Sequence, residues 1–229
     1  MKTLFAALLI AGATPALALA QAEPTTRAPQ AGDAAKLAGL IVPDTQMPSL
    51  IAAGFRRGFA TSIAANATAK ALYDANPGME DFVVQRVSDT LGRLAAADLP
   101  ALREQLAGIV HDEMEPEEIV DTLAFFESPT GTKIRARVVA AMQKQAPASA
   151  EEGQKAAAEA AIGDLTPEDY PALTAFASSS AAKKMQLVNP KIMAASQAWG
   201  LQVGSANAAK LKATREAAEA EFLAKGKAK

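Results

Sequence analysis

The amino-acid sequence predicts an all-α protein, a helical bundle with a long alanine-rich C-terminal helix. Half of the 229 residues are apolar, only 5% are aromatic, and alanine dominates the apolar set. Apolar residues recur at helical spacing over most of the chain, and alternating β-branched residues are nearly absent. Both features favour helices over strands.

The first residues have the three-part layout of a secretory signal peptide. Lys2 precedes the apolar run LFAALLIAGA, and Pro15 leads into the small-residue pattern ALALAQA. The run is too short to span a bilayer, and cleavage is expected after Ala20 or Ala22, with Ala22 favoured. We therefore expect a periplasmic or secreted protein without a transmembrane segment in its mature form. Because the chain has no cysteine, its core has to stabilise it without disulfides.

The next part of the sequence is expected to change from a disordered leader to a group of helices. Residues 22–33 contain Pro, Thr, Gln and Gly and show no periodic apolar face, so a disordered leader is expected over residues 23–43. Helices are expected over residues 44–113. The first runs from Met47 to the NPG stretch at Asn76, a second follows it, and a third opens with Asp98 as its N-cap.

A stretch that begins at Met114 is repeated from Leu165 onward. At one constant shift the two copies match at Pro116/Pro167, Glu117/Glu168, Ala124/Ala175, Phe125/Phe176, Ser128/Ser179 and Lys133/Lys184. The repetition predicts two similar helix–corner–helix units, over residues 114–162 and 163–224. One such unit cannot bury its apolar face alone, so we expect the two to pack on each other.

Both copies begin with residues that favour the start of a helix. In the second copy Thr166 is the expected N-cap, Pro167 the first helical residue and Asp169 the partner in a capping box. In the first copy Pro116 and Glu117 keep the fixed dihedral angle and the acidic first turn. A short helix is predicted after each start.

A sharp corner is predicted after the short helix of the first copy. Ser128 is expected to cap a new helix that begins at Pro129. Gly131 has no side chain at the point where the preceding helix, with Phe125, has to pass close by. The second copy keeps the serine, Ser179, but lacks the proline and the glycine. Its corner is therefore expected to be looser or smoothed toward a continuous helix.

Small residues recur every four positions in the long helices that follow the corners. Gly200, Gly204 and Ala208 share one stripe, and Gly153 lies on the equivalent stripe of the long helix in the first copy. A glycine inside a helix costs about 1 kcal/mol relative to alanine, so its presence is expected where packing requires a residue without a side chain. The spacing predicts that two helix backbones approach closely along these stripes.

The first copy resembles a bacterial family known as domain of unknown function 2059. The resemblance covers about residues 99–144, with a degenerate second copy at about 163–205. It is carried by the Glu-rich helix start, the aromatic pair, the Ser-Pro-x-Gly corner and the lysine after it, here Glu117, Glu118, Phe125, Phe126, Ser128, Pro129, Thr130, Gly131 and Lys133. The resemblance implies an exported helical protein of Gram-negative type and brings no known catalytic residue.

The cluster HDEMEPEE contains the only histidine, His111, among five acidic residues. These side chains could ligate a cation, but Pro116 pushes Glu115 out of the helical region, so His111 and Glu115 do not share a helix face. A lone histidine without cysteine cannot complete a closed zinc site. No recognisable nucleophile accompanies the histidine. We therefore expect no metal, no cofactor and no enzymatic activity.

Charge is distributed too evenly for a nucleic-acid binder, because the formal net charge is only −2. In FRRGF (residues 55–59) the arginines are expected to reach water while the phenylalanines face the core. The lysines of the tail, residues 225–229, complement a helix C-terminus and could also make weak contact with an anionic surface.

Three functions remain open at the level of the sequence. The long arm from Ser180 to Lys225 favours a non-catalytic binding module of the cell envelope, whose partner is an envelope protein or a second copy of the chain. The alternative is a carrier of a small apolar ligand or lipid, held between helices near Phe55, Phe59, Phe125, Phe126 and Trp199. A hydrolase is the third, and the missing catalytic site disfavours it.

Overall fold

A computed structural model describes residues 27–44, 47–144, 155–157, 159–161, 163 and 165–227. The helices, in chain order, are α1 (Asp33–Ile41), α2 (Met47–Ala64), α3 (Ala67–Asp74), α4 (Met79–Glu113), α5 (Pro116–Glu127), α6 (Pro129–Lys144), α7 (Tyr170–Ser178), α8 (Ser180–Ala206) and α9 (Ala208–Lys227). Residues 155–157 and 159–161 are helical as well. No described residue lies in a strand, so the predicted all-α class is confirmed. The expected signal peptide lies outside the described residues.

Helix α1 lies in the second half of the expected disordered leader, so the prediction of disorder was wrong there. Leu37, Ala38 and Val42 are fully buried, and α1 packs against α5. The Arg103 guanidinium donates two hydrogen bonds to the Val42 carbonyl, at 2.9 and 2.6 Å. A helix this short shows little periodicity in the sequence, and its apolar face is buried against residues that are distant along the chain.

The helix expected from Met47 to Asn76 is two helices. The side chain of Asn66 accepts a hydrogen bond from the Ala69 N–H at 3.0 Å and caps α3. Asparagine competes for backbone hydrogen bonds in this way and starts a new helix where it does so. The NPG stretch does end the second of them, and Gly78 has the positive φ of +84° that glycine tolerates.

Between Met79 and Glu113 the structure has one helix where two were predicted. Helix α4 continues through Pro100, although a proline inside a helix costs about 3 kcal/mol. Leu99 and Leu102, on either side of it, are buried, and this burial offsets the cost. Asp98 is therefore not an N-cap.

The chain forms two compact units, and the first comprises Asp44–Leu99 and Trp199–Lys229. Its core consists of the buried residues Ile63, Tyr73, Met79, Val83, Val87 and Ala218, with half-buried Phe55, Phe59, Phe82, Leu211, Phe222 and Leu223 around them. The Tyr73 hydroxyl donates to the Glu219 carboxylate at 2.6 Å. In the same unit the Trp199 indole N–H donates to the Asp98 carboxylate at 2.7 Å.

Among the described residues, the second unit comprises 27–43 and those between Pro100 and Ala198. Helix α5 is its centre and packs against α1, α6 and α7. The buried side chains of this unit include Leu37, Leu102, Leu106, Val110, Leu123 and Ile134.

The expected long C-terminal helix is interrupted, and the expected domain at 163–224 is divided. Helices α8 and α9 are separated at Asn207, whose side-chain amide donates to the Val203 carbonyl at 2.9 Å. Residues of α8 belong to both compact units. The alanine-rich composition gave no sign of this break, because one asparagine is enough to cause it.

Candidate functional site

The Ser-Pro-Thr-Gly corner has the predicted geometry. Helix α5 ends at Glu127 and α6 begins at Pro129. The Ser128 hydroxyl accepts the Gly131 N–H at 3.0 Å and donates to the Phe125 carbonyl at 2.7 Å. A Cβ atom at Gly131 would lie 2.0 Å from the Phe125 carbonyl oxygen. The glycine is therefore required by the close passage of the preceding helix.

The corner of the second copy is just as sharp, so the expected smoothing was wrong. The ψ angle is 162° at Ser179 and 159° at Ser128. The Ser179 hydroxyl accepts the Ala182 N–H at 3.1 Å and donates to the Phe176 carbonyl at 2.7 Å. The first-turn bond from the Lys183 N–H to the Ser179 carbonyl is longer, 3.4 Å against 2.9 Å for the equivalent Thr132 N–H in the first copy. The serine alone is enough to form the corner.

Equivalent aromatic residues of the two copies are in direct contact. The rings of Phe125 and Phe176 stack with centroids 4.1 Å apart and planes within 1° of parallel. Phe126 lies tilted against both, at 6.0 and 6.3 Å. Buried Phe125 and Phe126 and half-buried Phe176 thus join the two copies.

A buried carboxylate, Asp169, makes a polar link between the copies. It forms an ion pair with Lys133, and the Thr130 hydroxyl donates to it at 3.0 Å. The Thr166 N–H donates to it at 2.9 Å. The Lys133 ammonium, followed by these N–H and O–H donors, holds the pKa of Asp169 well below its usual range.

The predicted capping box of the second copy is only half formed. Asp169 accepts the Thr166 N–H, but its own N–H donates to the Thr166 carbonyl at 2.9 Å rather than to the hydroxyl. The helix begins at Tyr170 instead of Pro167. In the first copy the helix begins at Pro116, as predicted. The Thr166 hydroxyl does not accept the Asp169 N–H but donates to the Asp169 carboxylate at 3.1 Å.

The stripe that contains Gly200 and Gly204 does not form the predicted close helix contact with any described residue. Added Cβ atoms at Gly200 and Gly204 would meet no described atom within 4 Å. Gly153 lies outside the described residues. Small residues at every fourth position allow two helices to approach closely but do not bring a second helix there. Among the described residues, no second helix packs on this face.

The residues expected to line an apolar ligand pocket are divided between the two compact units. Phe55 and Phe59 pack on each other at 5.6 Å, and Phe59 meets Tyr73 edge-on at 5.9 Å. Trp199 belongs to the same unit. In the other unit Phe125 stacks on Phe176, and Phe126 lies tilted against both rings. Each group is an ordinary aromatic core contact.

A cleft of about 640 Å³ lies at the junction of α4 and α5, within the second unit. One wall is formed by residues 29–34, where the chain enters α1. The second is formed by residues 111–116, at the acidic junction of α4 and α5, and Lys184 comes from α8. The lining residues are Pro29, Gln30, Ala31, Asp33, Ala34, His111, Asp112, Glu113, Met114, Glu115, Pro116, Ile119 and Lys184. Its size is that of a small-molecule site.

Two of the carboxylates that line the cleft are already paired. Arg27 forms an ion pair with Asp33, whose pKa it holds below the usual value. Asp33 also accepts the Gln30 N–H at 2.8 Å, which shapes this wall. Glu113 forms an ion pair with Lys191. Their charges are therefore balanced within the protein.

The remaining charged groups of the cleft have no counter-charge among the described residues. Asp112 and Glu115 are exposed and pair with no cation there, and half-exposed Lys184 makes no ion pair or hydrogen bond to a described residue. Buried Met114 and Ile119 supply apolar surface between them. The cleft thus offers a cation, two anions and an apolar floor.

Within the described part of the chain, no cluster of His, Asp or Glu has the geometry of a metal site. Among the same residues, no helix has both the length and the apolar character that spanning a bilayer requires. Arg56 is exposed beside its half-buried phenylalanine neighbours. Lys225 pairs with Glu221 at 2.7 Å and lies over the Phe82 ring, 5.2 Å from its centroid.

The fold and the corner define an all-helical protein organised around a helix–corner–helix motif. Residues 100–159 match the model of a family described as uncharacterized proteins conserved in bacteria (DUF2059). The match contains the first copy of the repeat and ends before the second. No curated protein and no solved structure matches the chain.

The sequence indicated the acidic junction of the cleft but not its other walls. The charge of HDEMEPEE indicates the acidic junction, whereas the sequence predicts a leader at residues 29–34. For Lys184 the sequence indicates only that it is the repeat partner of Lys133. Residues so far apart in the sequence give no local signal that they will meet.

Proposed function

We propose that this chain is a non-catalytic binding module of the bacterial cell envelope and that it binds through the α4–α5 cleft. The observation that carries the proposal is the cleft itself, a concave site of ligand size in which Lys184, Asp112 and Glu115 lack counter-charges among the described residues. Charged groups gathered in one concavity are a common means of orienting a bound partner.

The proposal of a non-catalytic role is supported by the chemistry of the side chains in the cleft. His111 is exposed and makes no hydrogen bond to a described residue. A general base needs an orienting partner and a nucleophile within hydrogen-bond reach. The carboxylates nearest in sequence, Glu113 and Glu115, serve an ion pair and a helix start instead.

The proposal of an envelope location is supported by the signal-peptide layout of the first residues. We expect the protein purified from an envelope fraction to begin at Glu23, after cleavage at Ala22. N-terminal sequencing of the fractionated protein tests this. Recovery of a chain with Met1 from the cytoplasm would contradict the proposed location.

Binding through the cleft can be tested by photo-crosslinking in living cells. A photoreactive residue at Gln30, whose exposed side chain lines the cleft, is expected to give an adduct of defined mass. The matched control is Gln105, which is exposed on α4 outside the cleft. An adduct of twice the chain mass indicates a second copy, and another mass indicates a different partner.

A variant that fills the cleft completes the test. Ala34→Trp places a large ring on the lining of the cleft, at a half-exposed position. It should abolish the Gln30 adduct while leaving the urea midpoint unchanged. Equal adducts at Gln30 and Gln105, or a Gln30 adduct that still forms in the Ala34→Trp variant, would contradict the proposed binding site.

A further inference from the structure

The two copies of the repeat contact each other through residues that occupy equivalent positions in each copy. The face-to-face stack of Phe125 on Phe176 is a self-pairing of the kind found at a two-fold axis. In such an arrangement every off-axis contact has a counterpart. The counterpart of the Lys133–Asp169 ion pair would join Lys184 to Glu118.

The counterpart contact is not made. Glu118 accepts the Glu115 N–H at 3.0 Å, just as Asp169 accepts the Thr166 N–H at 2.9 Å. Lys184, however, reaches no carboxylate among the described residues. The cleft lies beside it, against the start of α5. One lysine of the repeat holds a carboxylate, and the equivalent lysine faces the cleft.

The charges around Lys184 restrict what can occupy the cleft. A simple anion would pair with the lysine but would be repelled by Asp112 and Glu115. A simple cation would leave the lysine without a partner. A ligand that carries both a carboxylate and an ammonium group can pair with the lysine and with the two acidic residues at once. A small apolar part of the ligand can pack on Met114 and Ile119.

We propose that the α4–α5 cleft binds a zwitterionic amino compound, an amino acid or a short peptide, with its carboxylate on Lys184 and its ammonium group on Asp112 and Glu115. This inference rests on the proposed function and specifies the ligand class of the same site. The carboxylate takes the place relative to Lys184 that the Asp169 carboxylate takes relative to Lys133.

Titration calorimetry of the mature chain with L-alanyl-L-alanine tests the ligand class. Binding in the millimolar range or tighter is expected. N-acetylation or C-terminal amidation of the dipeptide should each weaken it by about tenfold or more, because each cap removes one charge. Free alanine and trialanine, titrated in parallel, distinguish a single amino acid from a peptide as the natural source.

Two neighbouring lysines provide matched variants. Lys184→Met should lose the dipeptide, whereas Lys183→Met, exposed on the same helix and outside the cleft, should keep it. Since Lys184 has no partner among the described residues, its removal should leave the urea midpoint unchanged. Absence of dipeptide binding, equal binding of capped and uncapped dipeptide, or full binding by Lys184→Met would overturn the ligand class.

The two proposals fail in different ways. A Gln30 photo-adduct that Ala34→Trp abolishes, together with no affinity for uncapped peptides, would refute the zwitterion and leave the binding cleft in place. Loss of selective photo-crosslinking at Gln30 would refute the cleft as the binding site, and the ligand class would fall with it.

Discussion

At the scale of single residues, the same residue type has opposite roles at different positions. Gly131 and Gly200 are both inside helices, where glycine is a poor choice. A Cβ atom at Gly131 would collide with backbone atoms of Phe125 and Phe126, whereas one at Gly200 would meet nothing described within 4 Å. The backbone atoms of a packed corner cannot move aside as a flexible side chain can.

This contrast predicts opposite effects of adding one methyl group. Gly131→Ala should lower the free energy of unfolding by about 1–3 kcal/mol or more, as overpacking does. Gly200→Ala should raise it by up to about 1 kcal/mol, because alanine is the better helix former. Urea midpoints at matched slopes measure both. A Gly131→Ala protein as stable as wild type would disprove the close passage.

The ion pair and hydrogen bonds of Asp169 make the free energy of unfolding depend on pH in the acid range. Because the folded-state pKa lies below the usual value of 3.8, ionised Asp169 stabilises the fold fully above that value. The contribution is lost as the pH falls through the folded-state pKa. We expect Asp169→Asn to lower the urea midpoint at neutral pH, and the difference from wild type to shrink progressively below pH 3.8. A difference that stays constant on acidification would show that the carboxylate charge is not what stabilises the link.

At the scale of elements, helix boundaries followed side-chain hydrogen bonds more closely than composition. Asn66 and Asn207 each separate two helices in alanine-rich sequence. Pro100, a stronger breaker by propensity, does not interrupt α4. The asparagines offer the backbone a competing partner, and the proline only removes one bond from a helix that is buried on both sides of it.

The second corner can accept the proline that the first corner has. Ser180 is exposed at the first position of α8, where its N–H has no helical partner, and Ser179 already has the extended ψ that precedes a proline. Ser180→Pro should therefore stabilise the protein by about 0.4–1 kcal/mol by restricting the unfolded chain.

The control for this prediction removes the cap. Ser179→Ala should cost about 0.5–2 kcal/mol, because the Ala182 N–H loses its acceptor. Thermal unfolding of both variants beside wild type measures the two effects. Destabilisation by Ser180→Pro of about 3 kcal/mol, as expected inside a continuous helix, would mean that the corner is absent in solution.

At the scale of the whole molecule, the N-terminal boundary of the folded chain lies earlier than the composition indicates. A chain that begins at Arg27 retains all of α1 and is the reference for the comparison. A chain that begins at Asp44 lacks fully buried Leu37 and Val42, each contributing about 1.5–3 kcal/mol, and should be strongly destabilised or unfolded.

A point variant keeps this prediction testable if the shorter chain does not fold. Leu37→Ala leaves α1 in place and should cost about 2–5 kcal/mol, because it opens a cavity against α5. Chemical denaturation of both proteins provides the comparison. If the chain from Asp44 and the chain from Arg27 unfold at the same urea concentration, α1 does not belong to the core.

The sequence by itself determined the all-α class, the start of α5 at Pro116 and the corner at Ser128 and Gly131. These features depend on residues within a few positions of one another, where capping, fixed dihedral angles and the lack of a side chain act locally. The continuity of α4, the burial of α1 and the cleft around Lys184 were decided only in the tertiary structure. Each depends on groups distant along the chain, because burial offsets a local propensity only after those groups have come together.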